Sequence, residues 1–408
     1  MNSLLLTLLL GFAAHPRRYP TYLAYINGFT YGFSLNILTL LVPLHAIDLG
    51  FRLSDQGIIV AAPAVFMVAL RLPGGAIADR FGERIVMWFG FASLIICAAV
   101  ASVAATIWLL IVAQLFNGAS RSVYWSAGQS YASRSADGGS GQVLGRLLGC
   151  ESIGGICGAV VAGFVAQAAG FSVAFVVGGL AAAVGFLVIA ILPALPRRDQ
   201  VRSIMASFAP IKTMLFKRSL AFAYLVSFMA AVNAGLVGGL FIAFFRDLGY
   251  SEGETGVIRS LNSVGVASLA FFFGWLLTRL GNKNMGMLGM ISTGAVSVVI
   301  AYTGSIQVAA VALMALTGVT FGCLRALYPT LASDNSTPGQ RGLTLSVVSL
   351  YWAVAMLLSP LIFGFIADGT SIRFAISLYG GFAVAVGLVS PLVYRFSQTA
   401  AAAQPSSR

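Results

Sequence analysis

Arg71, Arg121, Arg259 and Arg325, with Glu151, lie inside long apolar stretches of a 408-residue chain whose charged residues make up only 9%. A charge near the centre of a bilayer costs about 3 kcal/mol or more, so each one suggests a function. Arg121-xx-Tyr124 recurs as Arg325-xx-Tyr328 at an offset of 204, with each tyrosine at i+3 on its arginine's helical face. Guanidinium groups match carboxylate or phosphate bidentately, so one reading of these pairs is a substrate site for an anion. The other reading is structural or gating, with the arginines paired to Glu151, to helix carboxyl ends or to backbone carbonyls. Glu151 is the acid within a span and the candidate site for a coupling proton. Burial favours its neutral form and a neighbouring arginine its charged form, so competition between substrate and Glu151 for Arg121 would link protonation to binding. A fixed Glu151–Arg121 pair is the plainer alternative. Arg71 precedes Gly75 by four residues and Asp79 by eight, which turns it toward the other half; it reads as serving either substrate or gate and is carried as a coupling candidate. Arg259, about a turn into its span, reads as snorkelling outward or pairing with Glu254. Asn27, Thr30, Tyr31 and Ser34 make one polar helical face, and Asn233 matches Ser34 at an offset of 199. That stripe reads as cavity lining, or as polar residues joining helices.

The elements that position these residues come in two copies. Asp48-Leu49-Gly50-Phe51 returns as Asp247-Leu248-Gly249-Tyr250, and Gly75-xxx-Asp79-Arg80-Phe81-Gly82 as Gly274-xxx-Thr278-Arg279-Leu280-Gly281, both at an offset of 199. Duplicated halves in an apolar chain are how secondary transporters build a central site. Hydrophobic residues make up 59% of the sequence, far from the composition of a soluble domain. The fold class is therefore all-α and polytopic in a membrane, with twelve spans. They run roughly over 20–45, 55–78, 84–104, 106–132, 142–167, 171–193, 219–245, 254–278, 284–304, 306–332, 341–367 and 371–394.

With both ends in the cytoplasm, the 24 basic residues divide as 17 cytoplasmic, 3 outside (Arg52, Arg246, Arg373) and 4 within spans. This satisfies the positive-inside rule, and the flipped orientation violates it. The net charge of +12 then reflects orientation and anionic lipid, with no contiguous basic face for nucleic acid. Residues 1–19 read as a cytoplasmic interfacial segment, 20–195 and 219–395 as six-helix bundles, 196–218 as a basic cytoplasmic linker and 396–408 as a disordered tail. Cys97, Cys150, Cys157 and Cys323 read as packing residues. No span carries a paired acid, a metal-ligand cluster or a nucleophile–base constellation, and no phosphate-binding glycine loop is present, so neither an enzyme nor an ATP-driven pump is expected.

The segment Gly75-Ala-Ile-Ala-Asp79-Arg80-Phe81-Gly82-Glu83-Arg84 resembles the loop between helices two and three of the Major Facilitator Superfamily, G-x-x-x-D-R-x-G-R/K-R/K. The resemblance covers essentially the whole chain. It implies a gate built on Gly75, Asp79, Arg80, Gly82 and Arg84, with Asp79 at the amino end of helix eleven, where a helix dipole favours a carboxylate. It also implies a cavity lined by helices one, four, seven and ten. Three positions depart from the family pattern. Glu83 replaces a basic residue, so the usual ion pair is lost or reversed. Gln114 stands where an arginine linked to proton transfer is common. Gly154-Gly155-Ile-Cys-Gly158-Ala159 is a degenerate form of the antiporter pattern G-P-x-x-G-G.

These features predict a proton-coupled transporter of a small organic solute in the plasma membrane, the solute being an anion on the first reading of the arginines. It uses no cofactor and is given no oligomeric state. Substrate-site candidates are Arg121, Tyr124, Arg325, Tyr328, Asn27, Tyr31, Ser34 and Asn233; coupling candidates are Glu151 and Arg71. A broad-specificity exporter of amphiphilic compounds and a non-transporting membrane scaffold or sensor are the two other readings.

Overall fold

The computed structural model describes residues 19–70, 77, 80–135, 140–195, 214–336 and 341–402. The described residues are helical nearly throughout: α1 (Tyr19–Asp48), α2 (Leu53–Leu70), α3 (Glu83–Ser102), α4 (Ile107–Arg134), α5 (Ser140–Ala169) and α6 (Phe171–Ile191) precede the linker. After it come α7 (Ala221–Val237), α8 (Leu240–Asp247), α9 (Glu252–Thr303), α10 (Gln307–Asp334), α11 (Arg341–Gly369) and α12 (Ile372–Ala402). Segments 1–18 and 196–213 lie outside the described residues, as do Arg71, Gly75 and Asp79. One boundary needs correction: α12 continues to Ala402, into the stretch expected to be a disordered tail.

Among the described residues, 10 helical stretches are long and apolar enough to cross a membrane, against the twelve expected. Two places account for the difference. Helix α4 falls short on apolarity, because it carries Gln114, Asn117, Arg121 and five serines. Helix α9 is 52 residues long, yet its backbone leaves the helical region at Gly281, with φ 72° and ψ 163°. At 1.5 Å per residue a straight helix of that length would run to about 80 Å, well over twice the hydrocarbon thickness.

The sequence repeat is a repeat of backbone geometry. Gly50 and Gly249 both take positive φ (74° and 91°), and so do Gly82 and Gly281 (86° and 72°). These are conformations that only glycine adopts without steric cost. At both ends of the first pair the helix closes alike. Phe51 N–H donates to Ala46 O at 3.1 Å, and Tyr250 N–H donates to Phe245 O at 3.1 Å, the reach-back of a glycine-terminated helix. Buried apolar residues form two cores. One runs from Leu23 to Leu192 and includes Ile242; the other runs from Met214 to Ala383 and includes Ala64.

The halves meet along α2 with α11 and α5 with α9. The contacts are backbone-close at one end. A Cβ on Gly57 would sit 2.4 Å from Pro360 O, and one on Gly163 would sit 2.4 Å from Glu252 O. There Ser54 Oγ donates to Asp368 Oδ2 at 2.7 Å, Arg52 lies 3.5 Å from the same carboxylate, and Gly253 N–H donates to Gln167 Oε1 at 3.2 Å. Eighteen residues, five helical turns, separate Gly163 from Gly145 on α5 and Gly256 from Gly274 on α9, so each pair shares a helical face. Gly163 and Gly256 touch across the halves, whereas no described residue lies within 4 Å of a Cβ on Gly145 or Gly274. The two helices therefore diverge, and the gap between the halves widens away from the end that carries Asp368.

Gly57→Ala should lower unfolding stability by about 1–3 kcal/mol, because a methyl is forced against backbone. Gly149→Ala, in open space, should leave stability unchanged or slightly raised. Thermal unfolding in detergent compares the two.

Candidate functional site

Glu151 is positioned by backbone contact between α1 and α5. Both helices present glycines four apart, Gly28 and Gly32 on α1 and Gly154 and Gly158 on α5, the spacing that lets membrane helices approach closely. A Cβ on Gly32 would lie 2.1 Å from Glu151 O, one on Gly154 2.2 Å from Phe29 O, and one on Gly158 2.3 Å from Phe33 O. The degenerate antiporter-like stretch is thus a close-packing seam against α1. Gly145 and Gly149, on the same helix, take no part in it.

The polar stripe of α1 faces into its own bundle. Tyr31 and Tyr124 stack with ring centroids 3.5 Å apart, and Phe91 meets both edge-on at 5.7 and 5.4 Å. Tyr124 Oη donates to Asn27 Oδ1 at 2.8 Å, and Asn27 Nδ2 donates to Gly185 O at 3.0 Å. Ser34 Oγ donates to Gly178 O at 2.8 Å, while Ser120 Oγ donates to Tyr31 Oη at 3.4 Å. Asn27, Tyr31, Ser34 and Tyr124 are buried and already paired within this network. In the second half Asn233 Nδ2 donates to Tyr379 Oη at 3.1 Å, again joining spans one and six of a bundle. The two tyrosines of the repeat diverge: Tyr124 is locked inside its bundle, whereas Tyr328 packs beside Trp352, ring centroids 5.6 Å apart.

The charged residues converge between the halves. Arg121 sits at the middle of α4, and its charge and that of Arg325 both act on Glu151. Arg259 lies within electrostatic reach of the same two arginines. This corrects the outward reading of Arg259. Its expected partner, Glu254, is engaged in a capping box with Ser251 and accepts from Gln307 Nε2 at 3.3 Å. The Arg325 guanidinium is exposed and lies 6.0 Å from the ring centroid of Trp125, which belongs to the opposite half. Phe321 and Tyr328 flank Arg325 on the same face of α10, and Trp352 packs beside both, at 6.1 and 5.6 Å.

Among the described residues the result is an arginine-rich gap with one carboxylate and aromatic side chains from α4, α10 and α11. Sequence reasoning missed Trp125 and Trp352. Trp125 follows Arg121 by four, which is a usable signal. Trp352 has no aromatic counterpart among residues 148–153 of the first half, so the repeat could not reveal it.

At the wide end, Glu83 is buried and pairs with Arg134 at 2.5 Å, and it accepts from Ser130 Oγ at 2.9 Å. The family-typical ion pair is therefore reversed, with the acid on α3 and the cation on α4. Arg84 donates to Ile189 O and Ala190 O at 3.3 and 3.2 Å, so it caps the carboxyl end of α6, and it also lies over the Trp88 ring. Arg80 is exposed, with its guanidinium 5.6 Å from the Phe81 ring centroid.

The sequence model of the Major Facilitator Superfamily matches residues 24–231 and again 220–408. The chain belongs to the Major Facilitator Superfamily. Among curated relatives, a Bacillus subtilis protein assigned by name to niacin and nicotinamide transport (NiaP) is 29% identical over 136 residues. That match takes in 33% of this chain and 34% of the relative, so the two align over about a third of their lengths. The multi-drug resistance efflux pump PmrA of Streptococcus pneumoniae is 25% identical over 280 residues, 64% of this chain and 68% of the pump. Solved structures show the superfamily fold. A point mutant of the nucleoside transporter NupG superposes with a TM-score of 0.81 at 16% identity, covering 92% of this chain and 100% of that one. A POT family transporter in complex with 5-aminolevulinic acid gives 0.73 at 13%, covering 93% and 96%.

The divergence of the two superfamily halves at their tyrosines is measurable. Tyr124→Phe strands the buried Asn27 oxygen and should cost about 1–3 kcal/mol of stability. Tyr328→Phe should change stability by no more than about 0.5 kcal/mol. Equal losses would contradict the asymmetry.

Proposed function

We propose that this protein is a proton-coupled secondary transporter of small organic anions in the plasma membrane, working by alternating access. The observation that carries the reading is that Arg121 and Arg325, from opposite halves, both act on Glu151, with Arg259 within electrostatic reach of the two arginines. An exposed Arg325 in an apolar setting suits an anionic solute. Relatives named for niacin and nicotinamide transport and for multidrug efflux support an organic solute.

Twelve spans follow when α9 is divided at Gly281 and α4 is counted as a span. The halves are then 20–195 and 219–395, joined by 196–218, with both termini cytoplasmic and the closed end outside. The gate comprises Gly75, Asp79, Arg80, Gly82 and Arg84, with Arg71 on the face turned to the other half. Glu151 is the coupling residue. Tyr31 and Tyr124 adjoin it from α1 and α4, and Arg121 and Arg325 face it from α4 and α10. Proton uptake by Glu151 would remove the carboxylate charge that competes with substrate for Arg325 and Arg121. The second reading, export of amphiphilic compounds, draws on the aromatic walls and on the 64% of the chain aligned with the efflux pump.

Exchange and gradient-driven uptake of a panel of radiolabelled organic anions in proteoliposomes tests the proposal. Arg325→Gln should abolish exchange. Glu151→Gln should keep exchange but remove the response to a pH gradient. Undiminished anion exchange in Arg325→Gln, or uptake of lipophilic cations and of no anion by the wild type, would overturn the anion reading.

A further inference from the structure

We infer that the solute carries a planar aromatic ring beside its carboxylate, and that Trp125 and Trp352 are the walls that select it. The inference rests on the organic-anion reading and goes further by naming the class of molecule. Its basis is the surroundings of Arg325. Arg325 is exposed. Two half-buried indoles from different halves of the protein lie in its neighbourhood, one against its guanidinium and one against the side chains a turn to either side of it. Trp125 lies 6.0 Å away on α4. Trp352 of α11 packs against Phe321 and Tyr328, one turn to either side of Arg325.

At 6.0 Å from the indole centroid the guanidinium is at the outer limit of a cation–π contact, and its planar fork of N–H donors stays available to a carboxylate. Aromatic walls beside a cation suit a flat ring better than a saturated one. The ring gains offset or edge-to-face contacts that an aliphatic ring of the same size cannot make. Arg121, one turn before Trp125 on the same face of α4, would add a second cation to that side of the site. A solute bound in this way touches α4, α10 and α11 together, so it bridges the two halves.

Binding to the purified full-length protein in nanodiscs, read by titration calorimetry, tests this with three probes of similar size: benzoate, cyclohexanecarboxylate and benzamide. Benzoate should bind about tenfold or more tightly than cyclohexanecarboxylate, and benzamide should not compete. Trp352→Leu and Trp125→Leu should each lower benzoate affinity more than cyclohexanecarboxylate affinity, so that the preference falls from about tenfold towards one, while thermal unfolding close to that of the wild type shows that the variants remain folded. Trp352→Phe should keep the preference. Equal affinity of the two carboxylates for the wild type, or an undiminished preference in both leucine variants, overturns the aromatic inference and leaves the organic-anion reading standing. Binding of benzamide in place of either carboxylate overturns both.

Discussion

The constraint on which this structure turns is that hydrocarbon offers no partner to a buried charge. Arg121, Arg259 and Arg325 cannot face lipid, and helix geometry lets them face inward only if the two halves leave a gap between them. Among the described residues the halves come backbone-close at one end, where α2 meets α11 and α5 meets α9 with glycines set against opposing backbone. From that end α5 and α9 splay apart, so the charged residues sit where the gap begins to widen. Glu151 is the counter-charge, and it is held there by backbone contact with α1 rather than by its own side chain.

The two halves share a frame but not a role. The first devotes its polar residues to internal packing, from Asn27 through Tyr124 to the Tyr31 ring. The second keeps Phe321, Tyr328 and Trp352 beside an exposed Arg325. An ancestral symmetry is visible in the backbone, where four glycines with positive φ fall in two pairs at one offset. Side-chain symmetry is lost where a solute would have to be held, as expected if a small, asymmetric molecule occupies the gap.

Much of this was legible in the sequence. The repeat announced the paired turns, and the apolar stretches announced the helices. The rarity of charge picked out Arg121, Arg325 and Glu151. What escaped did so for physical reasons. Helical spacing shows which residues share a face but not which neighbour that face meets, so Asn27, Tyr31 and Ser34 read as cavity lining although they are packed against α4 and α6. Arg259 was judged by its distance from the helix end, whereas the tilt and packing of α9 decide where its side chain goes. Glu83, read only as a departure, is paired across space with Arg134, more than a whole helix away in sequence.

The central claim is that arginines from opposite halves act on one anion. A double-mutant cycle on benzoate affinity with Arg121→Gln, Arg325→Gln and the double variant measures it most directly. A single shared site predicts strong non-additivity, with a coupling energy of about 1 kcal/mol or more, since removing either arginine already disrupts the grip of the other. Effects that simply add, within about 0.5 kcal/mol, would mean that the two residues serve separate places, and the account of a shared anion site would be wrong.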